Sequence, residues 1–81
     1  MKKLRVYVRQ GCHLCERLLE DLLPLVRGRM LLDVADIDSQ RTWQEKFDTQ
    51  IPLVEYEGSF VCRYQLDVLA IRKILSNNCL L

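Results

Sequence analysis

The sequence predicts an α/β domain, an α+β mixed sheet of four strands flanked by helices in the order β-α-β-α-β-β-α. Three observations carry that prediction. Leu4, Val6 and Val8 alternate with Arg5, Tyr7 and Arg9, the period-two pattern of a strand. After it, Cys15, Leu18, Leu19, Leu22, Leu23 and Val26 recur at the spacing of an amphipathic helix. Further on, two short apolar runs flank Glu57-Gly58, a tight hairpin signal.

The elements follow in order. Gln10-Gly11 ends the first strand, and the helix from Cys15 to Val26 carries Glu16, Arg17, Glu20 and Asp21 on its other face. Pro24 lies inside that pattern and predicts a kink or an early end near Leu23, with Gly28 as the C-terminal cap. Met30 to Asp38 reads as the second strand. Asp38 or Ser39 then caps a short helix from Gln40 to about Phe47, with Trp43 and Phe47 one turn apart on its buried side. After a loop at Asp48-Thr49-Gln50, Ile51-Pro52 leads into a third strand, Leu53 to Tyr56, and Ser59 to Arg63 returns as the fourth. Leu66, Leu69, Ala70 and Ile74 form the stripe of a closing helix that starts near Gln65 and ends at Ser76-Asn77-Asn78. The helix between the first two strands makes them parallel, and the last two form an antiparallel hairpin.

Eighty-one residues make one small domain, 1–81, whose single core is only just sufficient. A hydrophobic content of 49% with 28% charged residues is that of an ordinary globule. The net charge of +1 points to neither nucleic acid nor an anionic membrane as partner. No apolar run approaches the ~20 residues of a membrane span. The basic start, Met1-Lys2-Lys3-Leu4, turns polar too soon for a secretory signal, so the cytoplasm is the expected address.

Cys12 and Cys15 are close together, Cys62 is distant, and Cys79 lies near the end. That distribution is not a secreted disulfide scaffold, and a Cys-x-x-Cys in a reducing compartment points to redox or metal chemistry. Cys12 stands where a strand hands over to a helix. Unpaired N–H groups and the positive end of the helix dipole there favour thiolate over thiol, so Cys12 is the expected nucleophile. Cys15, one turn on, would resolve a mixed disulfide.

Together these residues resemble a thioredoxin-fold protein of the glutaredoxin type. Cys12-His13-Leu14-Cys15 stands at the family's Cys-x-x-Cys, Ile51-Pro52 at its cis-proline, and the hairpin through Glu57-Gly58 with the closing helix completes the fold. The resemblance spans essentially the whole chain. It implies a thiol–disulfide oxidoreductase acting on protein or glutathione disulfides, with no tightly bound cofactor and glutathione as a co-substrate. It further implies that Ile51 and Pro52 pair with the extended backbone of a substrate, and that Arg9, at a position where the family commonly has lysine, meets a carboxylate. Cys62-Arg63 occupies approximately the place of a glycine pair that approaches glutathione. Asp67 is an offset counterpart of an acidic residue at the last helix. His13 and Leu14 replace the family's proline and tyrosine. A monomer is expected.

Other assignments compete for several of these residues. His13 either lowers the thiol pKa of Cys12 or is simply an exposed residue at a helix start. Cys62 is either a third redox thiol or a small hydrophobe on a strand. Cys79 is set aside as a terminal thiol prone to adventitious intermolecular pairing. Tyr7 and Tyr64 are placed to border a cleft. A zinc site from Cys12, Cys15, Cys62 and His13 would lack the second closely spaced ligand pair of structural zinc, and a cluster bridged between subunits is a further metal option. The rival from another class is a non-catalytic thioredoxin-fold module that binds a partner protein.

Overall fold

Strand β1 (Lys3–Val8) is the centre of the molecule: its neighbours on either side position everything else. The computed structural model describes residues 2–79, with the side chains of 78 and 79 excepted, so the expectation for the Cys79 thiol lies outside the described residues. After β1 come α1 (His13–Val26), β2 (Leu31–Asp36), a single 3-10 turn (Ile37–Ser39), α2 (Arg41–Phe47), β3 (Leu53–Tyr56), β4 (Ser59–Arg63) and α3 (Val68–Cys79). The sheet order is β2-β1-β3-β4. β1 runs parallel to β2 and antiparallel to β3, and β4 is antiparallel to β3 with an irregularity between Val54 and Glu55.

The alternation in β1 divides the core in two. Leu4 and Val6 face α1 and α3, packing with Leu18, Leu22 and Val26 of the first helix and Ile71 and Leu75 of the last. Tyr7 points to the opposite face, where Ala35, Ile37, Phe47 and Leu53 form a smaller cluster under α2. Helices thus cover both faces, as an apolar sheet requires. The hairpin turn places Glu57 and Gly58 at φ 48° and 84°, which is why glycine stands second.

Four local expectations are corrected. α1 does not end early at Pro24: it continues to Val26 because Leu22 and Val26 bury their side chains, while Pro24 itself is exposed. β2 starts at Leu31 and stops at Asp36, whose carboxylate accepts from the Asp38 N–H at 2.9 Å and bends the chain into the 3-10 turn. Helix α2 is preceded by Gln40 with no side-chain cap, because Asp38 turns to Arg9 and the Ser39 hydroxyl donates to the Asp36 carbonyl. Helix α3 starts at Val68 rather than Gln65, since the Asp67 carboxylate takes the Ala70 N–H at 3.0 Å in the capping position.

One ionic cluster ties three of these segments together. Arg9, just past β1, donates to both oxygens of Asp38 and, at 2.9 Å, to Asp48 at the end of α2. Gln44 adds a bond to Asp38 at 3.0 Å. The Arg9 guanidinium, helped by Gln44, holds the Asp38 carboxyl below the ordinary carboxylate range.

Two outcomes follow. Leu22→Ala, at a fully buried position, should lower unfolding stability by about 2–5 kcal/mol in urea titration. Asp38→Asn should lower the melting temperature modestly at neutral pH. Because the folded pKa is the lower one, the gap between wild type and variant should be full above about pH 4 and close as pH falls through the folded value.

Candidate redox site

The Cys12 sulfur occupies the place that an oxygen usually takes at a helix start. Gly11, at φ 79°, turns the chain out of β1 in a conformation that favours glycine. Cys12 is the N-cap of α1: its backbone is extended, and its Sγ accepts the Cys15 N–H at 3.2 Å. Its own N–H donates to the Arg9 carbonyl at 3.3 Å, and its carbonyl accepts from Glu16 at 3.1 Å. Cys12 and Cys15 are joined as a disulfide, with Cα atoms 5.2 Å apart. The two sulfurs differ in access, because Cys15 is 2% exposed and Cys12 is only partly buried. That asymmetry suits an attacking thiol outside and a resolving thiol beneath it.

The sheet register gathers the remaining candidates at one end. β1 and β2 run parallel, so Arg9, Cys12 and Asp38 lie past the same edge. Leu53 pairs with Tyr7, which sets Pro52 and Ile51 beside the close of β1; the Ile51–Pro52 peptide is cis and Pro52 is buried. Arg63 pairs with Leu53, so the β4–α3 connection emerges there too. Tyr64 then locks that connection to the proline loop. Its N–H donates to the Pro52 carbonyl at 2.7 Å, its hydroxyl donates to the Thr49 carbonyl at 2.8 Å, and its φ of 70° is unusual for a side chain of this size. Arg63 donates to Gln50 at 3.1 Å and lies against the rings of Phe60 and Tyr64.

Several candidate residues have other partners. Arg9 is bound to Asp38 and Asp48, and Asp67 caps α3. The His13 side chain is 96% exposed, with Nδ1 3.7 Å from Glu16. Cys62 is buried on the α1/α3 face, where burial pushes its thiol pKa up, and it is unpaired. It therefore stands as a core thiol. Tyr7 does not border a cleft: it stacks on Phe47 at 4.1 Å, meets Trp43 edge-on, and donates its hydroxyl to Glu55. Among the described residues, no three His, Cys, Asp or Glu side chains are gathered as a metal site. Among them, too, no helix is long and apolar enough to cross a membrane.

Sequence reasoning did not single out Thr49, Gln50, Asp38 or Asp48 as partners of the site. No local periodicity marks them, because their partners lie on other elements. A groove of about 370 Å³ between α1 and the β4–α3 connection, lined by Leu14, Tyr64 and Val68 among others, was likewise not legible.

Known proteins agree with this architecture. A protein of Nitrosomonas europaea, Ne2328, known from a solution NMR structure, is 32% identical, with 90% of this chain and 89% of that one covered and a TM-score of 0.77. The X. campestris protein XcR50, known from an X-ray structure, shares the fold at 20% identity and a TM-score of 0.70, over 91% of this chain and 96% of that one. Among curated proteins none matches. Residues 3–76 match the model of the glutaredoxin-like domain family (DUF836). With its thioredoxin-like fold and paired Cys12 and Cys15, the chain belongs to this glutaredoxin-like family.

Proposed function

We propose that the chain is a small cytoplasmic thiol–disulfide oxidoreductase with Cys12 as nucleophile and Cys15 as resolving thiol. The observation that supports this best is the capping bond from the Cys15 N–H to the sulfur of Cys12, a residue that is only partly buried. A helix N-terminus with a main-chain donor aimed at sulfur favours the ionised form, and the thiolate is the nucleophile.

In the reduced protein the Cys12 thiolate attacks a substrate disulfide, and the displaced sulfur leaves as a thiol after taking up a proton. Cys15, deprotonated in turn, attacks the Cys12 sulfur of the mixed disulfide and releases the second product thiol. The pair ends oxidised, and an external thiol restores it. Ile51 and Pro52, at the same end of the sheet, offer main chain for strand-like pairing with the substrate. Arg9 and Asp67 serve position rather than charge recognition: Arg9 holds the loop that enters α1, and Asp67 fixes the start of α3.

Alkylation with mass readout across a dithiol redox series checks the assignment. Cys12 and Cys15 should titrate as one two-electron couple, Cys12 should alkylate rapidly even below about pH 7, and Cys62 should react only on unfolding. Two slow, independent thiols would instead support a binding module without catalysis.

Single-cysteine variants separate the two roles. Cys12→Ser should reduce disulfide exchange to the uncatalysed rate. Cys15→Ser should accumulate a stable mixed disulfide on Cys12, seen as a stoichiometric mass increase that a dithiol reverses.

A further inference from the structure

Among the described residues, two other than glycine take a left-handed backbone: Glu57 in the hairpin turn and Tyr64 in the β4–α3 connection. At Tyr64 the φ of 70° carries a steric cost that glycine would avoid. Main-chain bonding does not call for tyrosine there, since the N–H that donates to the Pro52 carbonyl at 2.7 Å is present in every residue but proline. What the side chain adds is reach. Its hydroxyl donates to the Thr49 carbonyl at 2.8 Å, and the Arg63 guanidinium lies over its ring, 5.5 Å from the centroid. A bulky residue kept in a strained conformation points to something its side chain does.

The side chain grips the loop 49–52. Thr49 and Pro52 give their carbonyls to Tyr64, and Pro52 has no N–H. Gln50 donates its N–H to the Phe47 carbonyl at 2.9 Å and its side-chain amide to the Lys46 carbonyl at 3.2 Å, while its Oε1 accepts from Arg63 at 3.1 Å. The loop is thereby tied to α2 on one side and to the β4–α3 connection on the other. Ile51 lies between these ties, with its side chain packed on the cluster of Tyr7, Phe47 and Leu53. Among the described residues no hydrogen bond engages its N–H or its carbonyl. A half-buried main chain with both groups open, at the sheet end that carries Cys12, is a place where an extended peptide can pair.

We infer that Tyr64 is a positioning residue for disulfide exchange: its grip on Thr49 and Pro52 fixes the open main-chain groups of Ile51, where the peptide flanking a substrate disulfide pairs. This rests on the exchange activity proposed above and adds a residue to it. Tyr64 acts through the loop and not on the sulfurs. Its loss therefore weakens recognition of peptidic disulfides and leaves the Cys12 thiol as it was. The loop itself stays folded without the hydroxyl, because the Gln50 bonds and the packing of Ile51 persist, but its Thr49 side is no longer held.

Single-turnover rates of the pre-reduced full chain test this with two substrates: a disulfide-linked homodimer of a short peptide, and hydroxyethyl disulfide, which has no main chain to pair. Tyr64→Phe keeps the ring and removes only the bond to Thr49, and Tyr64→Gly also removes the ring and relieves the left-handed strain. In both, the peptide-to-hydroxyethyl rate ratio should fall about fivefold, the size of one lost hydrogen bond. A ratio taken within each variant is independent of its folded fraction. The pH profile of Cys12 alkylation should stay as in the wild type. With a peptide N-methylated beside its cysteine, wild type and Tyr64→Phe should show equal ratios, because the main-chain pairing is already gone. An unchanged peptide ratio, a parallel fall with hydroxyethyl disulfide, or a shifted alkylation profile would overturn the positioning role while leaving exchange intact. No reaction of the wild type with either disulfide would overturn the exchange activity itself and the positioning role with it.

Discussion

A sulfur caps a helix in this protein, and the rest of the molecule is arranged to keep it there. Helix N-termini need acceptors for their free N–H groups, and Cys12 supplies its Sγ to Cys15 where serine or aspartate would ordinarily supply oxygen. The same sulfur is paired with Cys15 in a disulfide, with the two Cα atoms 5.2 Å apart. The cap depends in turn on Gly11, whose left-handed turn brings β1 into α1, and on the buried face of α1, whose Leu18, Leu22 and Val26 hold the helix against the sheet.

Around that cap the chain satisfies its own charges. Arg9 is one residue past the end of β1 and bridges Asp38 after β2 to Asp48 after α2, so one guanidinium fastens three segments at the end of the sheet where the cysteines lie. Each exposed pair alone is worth little. Their value is geometric, since the Arg9 carbonyl also receives the Cys12 N–H. Leu14, Tyr64 and Val68, by contrast, leave their side chains exposed around one groove.

Legibility varied with the range of the interaction. The alternation in β1, the stripe of α1 and the Glu57-Gly58 turn were readable because each is fixed by neighbours within a few residues. Element ends were less so. Pro24 argues locally for a break, but burial of Leu22 and Val26 against Leu4 and Val6, distant in sequence, carries the helix past it. Asp38 reads locally as a helix cap, yet Arg9, just past β1, claims its carboxylate, and Gln40 is left to begin α2 without one.

By itself the sequence determined that a Cys-x-x-Cys pair opens a helix after a strand, with a proline and a hairpin following in that order. Local steric and hydrogen-bonding preferences suffice for that. Tertiary structure alone decided which thiol is reachable, that Cys62 is buried and unpaired, that Arg9 is held by two carboxylates, and that Tyr64 walls a groove beside Leu14. Burial and partnership depend on residues tens of positions apart, and no window of the chain contains both members of such a pair.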